Sequence, residues 1–471
     1  LAAAGGPRDP VEATRHAIGA GALDLARQTF DDAVAELRGQ GGHRGAIQLY
    51  RGMVELTREA GVQAPGALRL LRRELGELYH TVGDYDRAVE ALERACQGAR
   101  GAELDSSTIA LARVHLAAGR AAKALELLEH VLGSADARAT DRVTALAEAA
   151  SAHIALDDHE PAVRTVRAGL ELLDEQARRT GEAAVVPRAE LQGQLGHSLG
   201  YLQRYDEANQ AFEAALRDAR AGNDRRVEAN ILNRWAILAF RQADLSSVPE
   251  RYEGALACAR HTGDVERQAA IQLNLAVFHL HQGEYAAALA HLPESLRLFQ
   301  AIGARKNLAH ARCNLGLLEL RLGLTEQARA TLRQAIEASR AVGWPAGEAL
   351  SRLLMGLVQA RRGHLDEARA SIGEARALSQ QLGQPRDAAD ALLDLAHVEL
   401  EAGNVDRALA ALRQAEGEVE LQELPDLRAR AAALQARAAS CSADVGLRAN
   451  AVTALDSAFS VVRELGSPEL T

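Results

Sequence analysis

The side chains able to do chemistry are scattered along this 471-residue chain, and their spacing argues against most chemistries. His279 and His281 lie two apart; on a helix that separation turns them ~200° from each other, so they do not share a metal ion. Asp157, Asp158, His159 and Glu160 form the densest titratable cluster and read as a polar helix start, favoured by the helix dipole. Cys96, Cys258, Cys313 and Cys441 stand singly, with no CxxC pair, which suits a reducing, cytoplasmic setting. No phosphate-binding GxxxxGK[ST] loop, HExxH, GxSxG or EF-hand loop is present. The expectation is a non-enzyme with no cofactor and no metal.

A different kind of pattern is regular. Arg241, His281, Arg321 and Arg361 follow one another at intervals of 40, with Glu401 next in the row. A row of cations can dock an acidic segment through charge-assisted hydrogen bonds; the plainer reading is solvated helix ends whose charge suits the dipole. Asn274 and Asn314 form a second row. Their amides can donate to and accept from an extended peptide, or bond locally. Val277, Leu280, Leu317, Leu320, Leu357 and Leu400 supply apolar positions on the same stretches. Exposed, they make a floor for an amphipathic partner; buried, they pack helix against helix.

These rows imply repeating elements. Ala288, Ala328, Ala368 and Ala408 are 40 apart; so are Gly283, Gly323, Gly363 and Gly403, and again Gly263, Gly303, Gly343 and Gly383. Each unit reads as two helices with a glycine after each, because glycine accepts the left-handed conformation that ends a helix. Gly316 and Ala328 are small where two helices meet. Looser copies surround Ala46, Ala88, Ala124, Ala162 and Ala208, with Val248 standing in for alanine. The 46-residue step from Ala162 to Ala208 predicts a longer loop around 178–187, and Pro293 predicts a kink inside a second helix.

Composition agrees. Hydrophobic residues make up 48% and aromatics 3%, in a chain rich in Ala, Leu, Arg and Glu, which favours closely packed helices over strands. A net charge of −10 and a pI near 5.9 argue against a nucleic-acid surface. No apolar run approaches the ~20 residues a membrane helix needs.

The pattern Leu75-Gly76…Tyr79…Gly83-Asp84-Tyr85…Ala88…Leu92…Ala95, repeated as Leu195-Gly196…Tyr205…Ala208…Phe212…Ala215, resembles the tetratricopeptide repeat. The 40-residue version is similar to that of bacterial regulators linked to STAND ATPases or kinases, and of kinesin-light-chain-type scaffolds. The resemblance implies an all-α solenoid of about eleven antiparallel helix pairs in a right-handed superhelix, whose first helices line a concave groove. Residues 21–425 form the array, 426–471 a degenerate closing helix pair, and 1–20 a leader helix. The leader resembles the junction between a signal-transduction ATPase and its repeats. The chain opens at Leu1 and not Met, which fits the alternative reading of a piece of a larger regulator with a linked ATPase or kinase domain.

The function expected from this resemblance is binding of a protein or peptide, with an acidic or amphipathic segment, in the groove. Arg241, His281, Arg321, Arg361, Asn274, Asn314, Val277, Leu280, Leu317 and Leu320 are the candidate groove residues. No nucleic acid or membrane is expected as a partner. The alternatives are a sensing arm of a larger ATPase or kinase, and a peptide-sensing phosphatase-type repeat protein, which requires an N-terminal helical bundle. The two-lysine clamp of chaperone-binding relatives is not matched.

Overall fold

The turn glycines explain where the helices stop. In the computed structural model Gly283 has φ 72° and its amide donates to the Leu280 carbonyl, while Glu284 donates to the His279 carbonyl. Together these two bonds satisfy carbonyls that the helix end leaves unpaired, in a geometry that glycine adopts without steric cost. The same pair of bonds recurs 40 residues on at Gly323 and Leu324. The alanines of the repeat explain how closely the helices pack: Ala288, Ala328, Ala368 and Ala408 are fully buried. Opposite them, a Cβ added to Gly316 would lie 2.5 Å from Leu332, so only glycine permits that approach.

The structure describes residues 9–39, 42–60, 65–135, 137–419 and 424–441, with positions 452, 453, 455, 456 and 459 beyond them. Those residues form twenty-two α-helices, packed largely in consecutive pairs as a tetratricopeptide-like α-solenoid. The chain divides into two compact units, 1–235 and 236–471.

In the first unit, α1 (Pro10–Gly19) pairs with α2 (Leu23–Gly39), and α3 (His43–Glu59) packs between α2 and α4 (Pro65–Thr81). Pairs follow of α4 with α5 (Tyr85–Cys96), and of α6 (Gly101–Ala117) with α7 (Ala121–Gly133). Two more join α8 (Ala139–Ala155) to α9 (His159–Thr180), and α10 (Val185–Tyr201) to α11 (Tyr205–Ala221). The division falls within α12 (Arg225–Arg241).

The second unit continues with α13 (Val248–His261) and the pair α14 (Val265–His281) and α15 (Tyr285–Ile302). Next come α16 (Arg305–Arg321) with α17 (Thr325–Ala341), then α18 (Pro345–Arg361) with α19 (Leu365–Gln381). The last pair joins α20 (Pro385–Glu401) to α21 (Val405–Glu418), and α22 (Pro425–Cys441) packs on both. The expected partner of α22, around 451–458, lies outside the described helices.

One local expectation is corrected. The extra residues before Ala208 lengthen a helix and do not make a long loop: α9 runs for 22 residues, to Thr180. Gly181, at φ 75°, ends it, and only 181–184 separate it from α10. The run Leu172–Arg179 contains good helix formers and no breaker, so helix propagation continues until the glycine. Helix α15 runs through Pro293, and Leu289, whose carbonyl the proline leaves without its usual donor, is exposed to water.

Candidate functional site

Within the second unit the first helices present one face to a cavity of about 1350 Å³. That face is a helical stripe at i, i+4, i+7 and i+11. On α18 it carries Leu350, Leu354, Leu357 and Arg361; 40 residues later, on α20, it carries Asp390, Asp394, His397 and Glu401. Helix α16 contributes Leu317 and Arg321, α14 contributes His281 at its end, and α22 contributes Arg430 and Leu434.

Of the residues singled out from the sequence, His281, Leu280, Leu317, Leu320, Arg321 and Arg361 line this cavity. Arg241, Asn274, Asn314 and Val277 do not. Asn314 donates to the His310 carbonyl of its own helix at 3.0 Å, which commits that amide locally. Leu280 and Leu320 are 7% and 3% exposed, so they pack between helices more than they face water. Leu317 and Leu357 are half-buried and Leu350 is exposed, and these three make the open part of the floor. Arg361 donates through Nη1 to the Leu320 carbonyl, reaching across to the preceding first helix.

Of the acidic half of the groove the sequence reading named only Glu401; Asp390, Asp394, His397 and Arg430 were missed. Arg430 binds both Asp390 and Asp394, the latter at 2.8 Å, and Arg437 binds Glu401. Burial pushes the Asp394 carboxyl up to about 6, against the pull of Arg430. Arg430 is half-buried, which pulls its guanidinium down, but the two aspartates outweigh that pull and hold it protonated. Burial keeps the His397 imidazole below its ordinary range, with Glu401 opposing and Arg437, Arg430 and Arg361 adding to it. The signal that would have found these residues is the same 40-residue step, extended from Leu350 to Asp390 to Arg430.

The dense titratable clusters have local explanations. His279 Nδ1 bonds Glu284 at 2.7 Å and its ring stacks on His291, whereas His281 faces Phe240. His159 Nε2 meets Asp157 Oδ1 at 3.0 Å, and its ring stacks on Tyr201 at 4.3 Å. Among the described residues no group of three or more His, Cys, Asp or Glu side chains is placed to hold a metal ion. No helix among them is long and apolar enough to cross a membrane.

Stacked helix pairs with a small-residue contact and a glycine turn at fixed period can be compared with known families. Tetratricopeptide-repeat families match residues 74–97, 106–130, 267–341, 349–374 and 389–414. The chain is a tetratricopeptide-repeat protein. No curated protein sequence matches it. Among solved structures, this repeat protein is similar to a Rap protein complexed with Competence and Sporulation Factor, at 14% identity and a TM-score of 0.53, over 79% of this chain and 100% of that one. It is also similar to the apo form of the quorum sensor NprR from B. thuringiensis, at 13% identity and a TM-score of 0.52, over 74% of this chain and 97% of that one. A third is a STAND protein with a tetratricopeptide repeat sensor from Pyrococcus horikoshii, at 16% identity and a TM-score of 0.54, over 79% of this chain. The chain spans about half the length of that protein, 54%. At these identities the likeness is one of fold.

Proposed function

We propose that this repeat protein acts by binding, and that its ligand is a peptide or protein segment held in the cavity of the second unit. The observation that carries this reading is the gradient along the lining. Leu317, Leu350 and Leu357 give an apolar floor, with Arg321 and Arg361 at its edge. Arg430 is already engaged by Asp390 and Asp394, and Arg437 by Glu401, so the acidic helix α20 is largely neutralised from within. Arg321 has no hydrogen-bonded partner among the described residues, so the positive charge offered to a ligand sits on the α16–α18 side. The segment that fits has aliphatic or aromatic side chains next to a carboxylate. A binding role is supported by similarity of fold to a Rap protein complexed with Competence and Sporulation Factor and to the quorum sensor NprR.

The test is selection of binders from a random peptide library on the whole chain, followed by affinity measurement against Arg321→Glu/Arg361→Glu. Enriched peptides should pair apolar residues with an acid, and the double reversal should weaken them by roughly tenfold or more. Equal affinity for the reversed protein would sink the reading. A second reading, a sensing arm of a larger signal-transduction ATPase, is supported by the similarity to the STAND repeat sensor. Joined to such an ATPase domain, the same peptides should change its nucleotide hydrolysis rate.

A further inference from the structure

Asp390 and Asp394 stand one turn apart on α20, both line the groove, and both are bound by the single guanidinium of Arg430. One cation between two carboxylates leaves a negative charge over, which a proton can neutralise. Asp394 is placed to take that proton. It is half-buried on the groove wall, and burial pushes its carboxyl up to about 6. Arg430 opposes that push, and so does Arg321 on α16, from across the groove, whereas Asp390 adds to it.

The other charges around Asp394 have their own places. His397 and Glu401 follow it on α20, and Glu401 is paired with Arg437 of α22. Helix α18 brings Arg361 to the same lining, and α14 brings His281. Arg369 of α19 and Arg407 of α21 act instead on Glu399, which lies ~140° around α20 from Asp394.

Arg321 therefore faces two ways. It favours the ionised form of Asp394, and it stands at the edge of the apolar floor where a ligand carboxylate pairs. A carboxylate bound there cancels the help that Arg321 gives and adds negative charge to the same space. Both changes favour the protonated acid.

We propose that the groove takes up a proton from solvent when an acidic segment binds, that Asp394 receives it, and that binding tightens as the medium becomes more acidic. This coupling rests on the peptide reading of the same groove. Its sign follows from linkage: a proton gained on binding makes affinity rise as pH falls.

The probe is the tightest acidic peptide selected from the random library on the whole chain. Titration calorimetry near pH 6.5, in two buffers of different ionisation enthalpy, counts the protons taken up, and on the native chain this needs no variant. The count should be a clear fraction of one proton, and affinity should rise about three- to tenfold from pH 8 to pH 5.5. Asp394→Asn stands for the protonated acid. It should remove the uptake and bind at pH 8 about as tightly as the native chain does at pH 5.5. His397→Gln and His281→Gln should keep the uptake, which separates Asp394 from the imidazoles. Circular dichroism and melting of the variants establish that they fold. A native chain that binds the peptide without proton uptake overturns the proposal and leaves the peptide reading standing. Uptake that survives Asp394→Asn, or that disappears with either imidazole, overturns it as well. If no peptide binds between pH 5.5 and pH 8, the reading and the coupling fall together.

Discussion

At the level of single residues, the helix-ending turn separates backbone geometry from side-chain identity. Ala243 has φ 57°, and the bonds around it, Ala243 to Phe240 and Asp244 to Ala239, reproduce those at Gly283 forty residues later. Gln203 and Asn223 occupy equivalent left-handed positions. An L-residue there costs about 1–2 kcal/mol, partly offset because glycine loses more freedom on folding. Ala243→Gly should therefore raise stability by about 0.5–1 kcal/mol, and Gly283→Ala should lower it by about 1 kcal/mol, both read by urea unfolding. Asp394 offers a titration test at the same scale. Its native carboxyl titrates at about 6, above its ordinary 3.8, so the folded state binds the extra proton between those values. Stability from this group is present at low pH and is lost as pH rises through about 6. Relative to Asp394→Asn, the native protein should lose of the order of 2–3 kcal/mol between pH 4 and pH 7. A difference that stays flat with pH would show that Asp394 ionises normally.

At the level of elements, the joint between α19 and α20 is held by an ion pair that no periodicity announces. Arg369 grips Glu399 through Nε at 2.6 Å and Nη2 at 2.9 Å, and Asn404 adds a bond at 2.8 Å. Glu399 is 3% exposed, and the hydrogen bond from Arg369 holds its carboxyl below the usual range. Arg369→Ala leaves that carboxylate buried with one partner, at about 3 kcal/mol near pH 7. The depressed carboxyl contributes its stability above the unfolded value and loses it as pH falls, whereas the variant's Glu399 is neutralised by acid. The difference between the two proteins, measured by denaturant unfolding, should therefore shrink below about pH 4.5. Arg369 and Glu399 lie 30 apart, off the 40-residue period, so their meeting depends on the crossing of two helices and on rotamers that composition and spacing do not encode. The helices themselves were legible, because Ala288 and Gly283 and their repeats carry them in residue type alone. The length of helix α9 was not, because the 46-residue step shows that residues are added but not where, and only the helix formers of Leu172–Arg179 and the glycine after Thr180 place them in the helix.

At the scale of the whole molecule, the contact pattern inside each unit is nearest-neighbour. Among the described residues, helices of a unit make their main contacts with those one or two places along the chain, and the apolar interior is a series of separate clusters. Stability in such an array is close to a sum of repeat and interface terms, so damage should stay local. Leu412 on α21 is 2% exposed and packs in a cluster shared by α20, α21 and α22. Leu412→Ala should remove about 2–5 kcal/mol from that cluster. Hydrogen exchange should then speed up in α20–α22 and by less in α18, none of whose residues belongs to the damaged cluster. In α4–α7, which share no cluster with Leu412, protection should stay at its native level. Uniform loss of protection along the chain would show that the array unfolds as one cooperative body. The distinction bears on function, because Asp390, Asp394 and Arg430 stand on the helices that would open. If the opening is local, Leu412→Ala should weaken peptide binding in the groove while leaving the helices of the first unit protected.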